Sequence, residues 1–242
     1  MAYAVISDVH SNLHALEAVL KDIRDRRIDE IYFVGDAVGY GPQPNLCIDL
    51  LKRDCDILIA GNHDWAVLEY ISTEYFNIHA ADAVTYNREV MTDEHMQELE
   101  KFNLLKSSGK RNALFVHATP HDPENWDYLF SVKDAEVNFE HFDQKLCFIG
   151  HSHTPVIIEQ QQPTGEILIH RAKTEINDTS RYIINDGSVG QPRDGDPRAS
   201  YAIIDDASIE IVRVQYDISK TQKEMEAAKL PFRLIERLAY GY

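Results

Sequence analysis

Short runs of apolar residues recur along the first part of the chain, and five of them end at a residue able to bind a metal. Continuous apolar runs of this length predict buried strands with parallel neighbours, whereas half-exposed strands alternate apolar and polar residues. Helical periodicity separates the first three runs, and this strand–helix–strand order predicts an α/β fold with right-handed crossovers. The five runs cover residues 3–7, 31–35, 56–61, 112–116 and 146–150.

The hydrophobic pattern changes twice after the third run. From residue 65 to about 105 strand-like runs disappear, and helical periodicity predicts a small insertion that either acts as a lid or only covers a sheet face. Beyond residue 155, short strand-like runs separated by turns predict a second, largely antiparallel sheet packed on the first. We therefore predict a single domain over residues 1–242, with the helical insertion at about 65–105.

Polar residues follow each of the five runs at the point where its strand is expected to end. In an open α/β sheet the ligand site lies beyond the carboxyl ends of the strands, so these side chains are expected to meet at one edge. Asp8 and His10 are two positions apart, as are His151 and His153, and in extended backbone such pairs point the same way. The candidate metal ligands are Asp8, His10, Asp36, Asn62, His117, His151 and His153.

The donor types in this set restrict the metal. Imidazole nitrogens with carboxylate and amide oxygens suit first-row ions, and the candidates are Mn, Fe, Ni, Co and Zn. None of the seven residues is a cysteine, which argues against a structural zinc site held by thiolates. The sequence therefore predicts metal chemistry at this site.

Composition limits the possible binding partners and the cellular location of the protein. The formal net charge of -16 argues against stable nucleic-acid binding and against binding to an anionic membrane. No apolar run is long enough to span a bilayer, and we expect no leader before the first run. The three cysteines form no CxxC pair and fit a reducing compartment. We therefore expect a cytoplasmic protein.

The motifs that carry the candidate ligands resemble the calcineurin-like metallophosphoesterase superfamily. They are DVH at residues 8–10, GDAVG at 35–39, GNHD at 61–64 and GHSH at 150–153, together with His117. Loops at 39–44 and 186–193 are similar to those of a small prokaryotic branch, in which some members resemble dinucleoside-polyphosphate hydrolases. The resemblance implies an α/β fold of the four-layer type, a β-sandwich flanked by helices, with a small helical insertion.

The resemblance also implies a role for each residue. Two divalent metal ions would share Asp36, and His63 would be catalytic, protonating the leaving oxygen or stabilising its charge. Asp64 would join His63 in the catalytic set by orienting it or stabilising its charge. One ion would be held by Asp8, His10, Asp36 and His153, and the other by Asp36, Asn62, His117 and His151.

Two further residues are candidates for substrate binding. Tyr40 follows the Asp36 loop and is a candidate for stacking on a base or sugar. Arg193 lies in a glycine-bearing loop and is either a contact for a second phosphate or a turn residue in solvent.

The charge of the proposed site favours phosphate. Two divalent ions held by only two carboxylates, Asp8 and Asp36, keep a surplus positive charge of about +2, even on an acidic protein.

The resemblance implies a dinuclear phosphoesterase that hydrolyses a phosphodiester, phosphomonoester or nucleotide phosphoanhydride by attack of metal-bound hydroxide. The expected partner is a phosphate-containing small molecule, with nucleotides and dinucleotides among the candidates. The alternatives are a phosphoprotein phosphatase and an idle metal-binding scaffold of the same fold; a deep pocket favours the small molecule over protein.

Overall fold

The structure, a computed structural model, describes residues 2–242. Its strands form two six-stranded sheets. Each of the five apolar runs contains one strand. The strands are β1 (Tyr3–Ile6), β2 (Ile31–Val34), β3 (Ile57–Ile59), β4 (Leu105–Ser108), β5 (Ala113–Val116), β6 (Leu146–Ile149), β7 (Val156–Gln161), β8 (Ile167–His170), β9 (Lys173–Glu175), β10 (Ser180–Asn185), β11 (Ala199–Ile204) and β12 (Ser208–Val214).

Helices connect the strands and cover the outer faces of the sheets. Pro44 opens the second helix at a position where a missing N–H has no consequence, and Asn12 caps the first by accepting from Ala15 N. The helices are α1 (Leu13–Asp25), α2 (Pro44–Asp54), α3 (Asn62–Val67), α4 (Ile78–Val90), α5 (Asp93–Leu99), α6 (Val132–Phe139), α7 (Ile218–Ala227) and α8 (Phe232–Arg237), with a short 3₁₀ turn at Pro123–Asn125.

The sheet pairing differs from the expectation of a single sheet edge. One sheet has the order β3-β2-β1-β11-β12-β9 and the other β4-β5-β6-β10-β7-β8. The first three ligand-bearing strands are therefore parallel neighbours in one sheet, while β5 and β6 are parallel neighbours in the other. The prediction of one shared sheet is wrong because an apolar run indicates that a strand is buried, not which strand it pairs with.

The late strands do not build a separate antiparallel sheet either. β11 adds antiparallel to β1, and β12 and β9 follow it, so they complete the first sheet. β10 adds parallel to β6, and β7 and β8 follow it antiparallel, so they complete the second. Both sheets are consequently mixed, because the last third of the chain supplies strands to each.

The cores show why the architecture has four layers. One apolar core lies between the sheets, where Phe115 and Phe148 stack with ring centroids 5.2 Å apart. A second core joins α1 and α2 to the outer face of the first sheet, through residues such as Leu16 and Phe33. A third joins α6 to the outer face of the second sheet, where Phe139 is buried. The predicted α/β fold, a sandwich flanked by helices, is confirmed.

The segment of the predicted insertion holds the helices α3, α4 and α5. Helix α4 is tied to the loops beyond β1 and β2 by the buried amide of Asn87. Its oxygen accepts from Ser11 Oγ at 2.6 Å and from Gly39 N at 2.9 Å, and its nitrogen donates to Gly41 O at 3.0 Å. The division into one domain with an insertion stays a prediction. Within residues 2–242, every helix is too short or too polar to cross a bilayer.

Candidate metal centre

The carboxyl ends of parallel strands from both sheets meet at one place. Asp8 follows β1 of the first sheet, and its carboxylate accepts from the backbone N–H of His151, which follows β6 of the second, at 3.1 and 3.2 Å. The ring of His117, beyond β5, reaches back to the carbonyl of Val34 at the end of β2. The sandwich therefore places two strand edges against each other, and the candidate ligands lie at their junction.

Four of these side chains form a first buried set. The Nε2 atom of His153 lies 3.2 Å from Asp8 Oδ1 and 3.0 Å from His10 Nε2. The Nε2 atom of His10 is 3.5 Å from Asp36 Oδ2. The ligand atoms of Asp8, His10, Asp36 and His153 all lie within 4.8 Å of one another. Such a cluster is compact enough for one cation.

A second buried set shares Asp36 with the first. Asp36 Oδ2 is 3.3 Å from His117 Nε2, and the ligand atoms of Asp36, His117 and His151 again lie within 4.8 Å of one another. Asn62 is the first residue of α3 and lines the same cleft as His151. The structure thus brings the six predicted Asp and His residues into two overlapping groups, with Asn62 beside the second.

Backbone carbonyls orient three of the imidazoles. In each, Nδ1 lies within hydrogen-bond distance of a carbonyl oxygen, so Nδ1 carries a proton, and in the neutral ring Nε2 presents a lone pair to the centre. The pairs are His10 with Val38 O at 3.0 Å, His117 with Val34 O at 2.9 Å and His153 with Gln191 O at 2.6 Å.

The donor atoms fit divalent cations. With their Nδ1 protons committed, His10 Nε2 and His153 Nε2 face each other at 3.0 Å as two lone pairs, an arrangement that a cation between them relieves. Within residues 2–242, Asn62 Oδ1 and His151 Nε2 are buried without a hydrogen-bond partner. Unsatisfied buried acceptors cost roughly 1–3 kcal/mol each, and a bound cation removes that penalty.

Charges in the centre suit cation binding as well. Burial acts to raise the pKa of Asp8 and Asp36, but His153 beside Asp8 and His117 beside Asp36 outweigh it and hold both pKa values below the usual range. Burial lowers the pKa of His10 well below its usual value, so this ring is neutral. Burial also opposes protonation of His117, but Asp36 overcomes it and raises that pKa to about 10. A cation bound there would displace this proton.

The backbone at the candidate ligands is strained. Non-glycine residues rarely adopt left-handed φ values, and clusters of them mark functional sites. The extended geometry assumed for the two-apart pairs is therefore wrong: the side chains converge because each ligand sits in its own tight turn. The φ angles are 51° at Asp8, 49° at His10, 59° at Asp36, 66° at His151 and 58° at His153.

Glycines beneath the ligands leave no room for a side chain, which gives a first test. Gly35 has φ +100°, and a Cβ there would lie 2.4 Å from His117 Nδ1. We expect Gly35→Ala to displace His117, weaken metal binding and lower the melting temperature, as measured by metal titration and calorimetry. The control Gly109→Ala meets nothing within 4 Å and should stay within about 0.5 kcal/mol of the parent. Equal behaviour of the two variants would contradict the packing argument.

His63 lies beside the two sets without belonging to either. Its side chain is buried, and its ring centroid is 4.8 Å from that of His10 and 4.5 Å from that of Tyr40. Among the described residues 2–242, its Nδ1 atom has no hydrogen-bond partner. Burial is the main reason that the pKa of His63 falls to about 4. The ring also lines the adjoining cleft, where a substrate would meet it.

Asp64 does not contact His63 in the way that the sequence led us to expect. Its carboxylate accepts from the backbone N–H groups of Asp36 at 3.0 Å, Val38 at 3.1 Å and Gly61 at 2.8 Å. Among the hydrogen bonds of residues 2–242, none joins Asp64 to His63. Burial, followed by the charge of Asp36, raises the pKa of Asp64 to about 7. The contacts make Asp64 a positioning residue for the strand-end loops.

Tyr40 and Arg193 lie together at the rim of the centre. Arg193 Nη2 donates to Tyr40 Oη at 3.1 Å and to Gln191 Oε1 at 3.1 Å, so this arginine is not a free turn residue. Tyr40 is only 5% exposed, and its ring packs 4.5 Å from both His10 and His63. Its faces are therefore largely covered, which disfavours stacking of a base or sugar on this ring.

A cleft opens beside the centre, and the sequence had assigned no role to most of its walls. Its volume is about 680 Å³. The only sign of this cleft in the sequence was the number of aromatic residues in two loops. Hydrophobic periodicity does not indicate the role of such residues. The aromatic residues that line it are Tyr40, Tyr75, Phe76, Trp126 and Tyr128, next to Asn62, His63 and His151.

A known protein family matches most of the chain. Residues 1–208 match the calcineurin-like phosphoesterase superfamily domain, most of the chain and every candidate ligand included. The chain belongs to this superfamily. Calcineurin-like phosphoesterases are metal-dependent, which agrees with the two Asp/His clusters that could bind metal.

Relatives of this calcineurin-like chain match it over nearly its whole length. An uncharacterized protein of Methanocaldococcus jannaschii is 45% identical over 243 residues, covering 98% of this chain and 97% of the relative. The crystal structure of a metallophosphoesterase from Sphaerobacter thermophilus is 42% identical, with a TM-score of 0.88 and coverage of 100% and 99%. A hypothetical protein of Pyrococcus horikoshii has a TM-score of 0.82 at 19% identity, with coverage of 100% and 98%, and so shows the fold alone.

Proposed function

We propose that the protein is a dinuclear metal-dependent phosphoesterase that hydrolyses a phosphate-containing small molecule. The observation that carries the proposal is the pair of buried donor sets that share Asp36 and border a cleft of about 680 Å³. The first set is Asp8, His10, Asp36 and His153, and the second is Asp36, Asn62, His117 and His151.

The donor set suits phosphate chemistry. Two divalent ions held there would supply an activated water as nucleophile and positive charge for the phosphate oxygens. Asp8 and Asp36 are the only carboxylates among the seven donors, so the loaded centre keeps a net positive charge that attracts an anion. Imidazole and amide donors accept Mn, Fe, Ni, Co or Zn, and all five remain candidates.

Residues beside the donors have complementary tasks in this proposal. The ring of His63 lines the cleft and would donate a hydrogen bond to the leaving oxygen, or a proton once the charge of a bound phosphate has raised its pKa. The guanidinium of Arg193 donates to Tyr40 Oη and would provide positive charge at the rim, where a second phosphate would lie. Asp64 would hold the loops of Asp36 and Gly61 in place.

The cleft favours a small molecule over a phosphoprotein. A volume of about 680 Å³ falls within the roughly 300–1,000 Å³ range of pockets that enclose small ligands. Phosphodiesters, phosphomonoesters and nucleotide phosphoanhydrides all remain candidates. A putative diadenosine tetraphosphatase has the same fold at 18% identity and a TM-score of 0.51, which supports the fold but not the substrate.

Metal removal and restoration test the proposal. We expect about two ions per chain by elemental analysis, loss of nearly all phosphoesterase activity after chelation, and recovery on addition of Mn²⁺. The substrates are bis(p-nitrophenyl) phosphate, p-nitrophenyl phosphate, nucleotides, dinucleotides and phosphopeptides. Two bound ions with no turnover of any substrate would favour the idle scaffold, and preference for the phosphopeptides would favour a phosphoprotein phosphatase.

A further inference from the structure

Aromatic side chains approach the metal centre from both sheets. Phe76 precedes α4, and its ring lies 5.0 Å from that of His63, which follows a strand of the first sheet. Tyr128 follows β5, and its ring stacks on His151, which follows a strand of the second sheet, with centroids 4.1 Å apart and planes at 22°. The cleft is therefore walled by aromatic rings from two separate segments, one on each side of the centre.

The exposure of these rings needs an explanation. Tyr75 is 94% exposed and Tyr128 is 44% exposed, although both line the cleft. Neighbouring Phe130 stacks on Tyr128 with centroids 4.9 Å apart and planes at 7°, and it is 75% exposed. Large aromatic side chains grouped at the mouth of a cleft gain little from packing on the protein itself. His151 and Phe130 stack on Tyr128, whereas the almost fully exposed ring of Tyr75 presents a free face that suits a planar ring from a ligand.

Polar groups in the same cleft suit the edge of such a ring. The indole Nε1 of Trp126 is buried and has no hydrogen-bond partner among residues 2–242. Asn77 and Asn125 also line the cleft, and each offers an amide. A buried N–H without an acceptor carries a desolvation penalty, which a ring nitrogen or carbonyl of a ligand would remove.

We propose that this cleft is a subsite for a planar heteroaromatic ring of the nucleobase type, attached to the phosphate of the substrate. The ring stacks on Tyr75 and Phe76, and its polar edge accepts from Trp126. The inference rests on the proposed function, because the ring is located relative to a phosphate at the metal centre. It narrows the substrate class to phosphate compounds that carry a base.

Two probes that differ only in the ring test the subsite. Adenosine 5′-phosphate and ribose 5-phosphate share the phosphate and the sugar, so the ratio of their dissociation constants isolates the ring. Calorimetry on the Mn²⁺-loaded protein is expected to give at least about 10-fold tighter binding of the adenosine compound, in line with stacking in other proteins. Equal affinity for the two probes would overturn the proposal.

Variants assign the effect to named residues. Tyr75→Ala removes a ring that is almost fully exposed, so its fold should be preserved, and the affinity ratio is expected to fall by about 5-fold or more. Tyr75→Phe keeps the ring and should keep the ratio. Trp126→Phe removes the N–H and should reduce the ratio as well. Tyr240→Ala, at a tyrosine that is 54% exposed outside the cleft, should change nothing.

The outcomes separate this inference from the proposed function. Turnover of phosphoesters with a ratio that neither Tyr75→Ala nor Trp126→Phe changes would overturn the subsite and leave the phosphoesterase standing. A ratio that depends on Tyr75 in a protein without turnover would support the subsite and contradict the proposed enzyme.

Discussion

Asp36→Ala is expected to empty both metal sets at once and to abolish turnover. Asp36 is the residue common to the two sets, with Oδ2 at 3.5 Å from His10 Nε2 and 3.3 Å from His117 Nε2. Its Oδ1 also accepts from the backbone N–H of His63 at 2.9 Å. Removing the carboxylate therefore takes a ligand from each ion and releases the loop that carries the proposed proton donor.

Asp36→Ala should weaken metal binding more than a change to a residue that only contacts a metal ligand. Loss of an outer partner of a ligand typically weakens metal binding by about 10–100-fold, so loss of a shared ligand should weaken it by at least about 100-fold. Elemental analysis after dialysis against micromolar Mn²⁺ should find close to no bound metal. Activity should fall by about 10³-fold or more, since both ions contribute to the reaction.

Two variants control for this result. Asp36→Asn keeps an oxygen for the His63 N–H but loses the charge, so we expect metal binding between that of the parent and that of Asp36→Ala. Asp178→Ala changes a fully exposed aspartate that pairs with Lys145 at 3.6 Å, far from the donor sets in sequence, and it should behave as the parent. Two tightly held ions in Asp36→Ala would exclude the bridging role.

His63→Ala is expected to keep its metal and lose most of its rate. His63 belongs to neither donor set, yet its ring lines the cleft within 4.8 Å of the His10 ring. A positioned proton donor typically contributes about 10²–10⁴-fold to the rate, so kcat should fall by that factor. Metal content, measured on the same preparation, should equal that of the parent.

The leaving group provides a sharper readout for His63. An alkoxide needs a proton in the transition state far more than p-nitrophenolate does, so the loss in His63→Ala should be much larger for alkyl esters. His63→Asn keeps polarity and approximate size but transfers no proton, and it should resemble His63→Ala. A variant that lost metal but regained full specific activity on reloading would show that His63 is a ligand and not a proton donor.

Three of the candidate ligands show which features of the site local sequence can predict. The runs before Asp8, Asp36 and His117 are apolar over four or more positions, and each proved to contain a buried strand. A run of this kind is recognisable because burial on both faces removes polar residues altogether. The position of a ligand just after its run then follows from where the strand must end.

Other features could not be predicted because they depend on distant contacts. The carbonyl that orients His117 belongs to Val34, which is 83 positions away, and the ring nitrogen that faces His10 Nε2 at 3.0 Å belongs to His153, which is 143 positions away. Likewise, nothing in the GNHD motif indicates that Asp64 accepts three backbone N–H groups instead of contacting His63. Hydrogen-bond partners of this kind are set by strand pairing, which periodicity does not encode.

The sequence by itself determined the chemical types of the donors, their place after five buried strands and, through its motifs, the superfamily. Only the tertiary structure decided that these strands divide between two sheets, that the ligands sit in left-handed turns, and that aromatic rings wall a cleft beside them. The physical reason is that burial and periodicity are local properties of the chain. The pairing of strands, the free face of a ring and the lone pair of an imidazole are defined only by neighbours that folding brings from elsewhere.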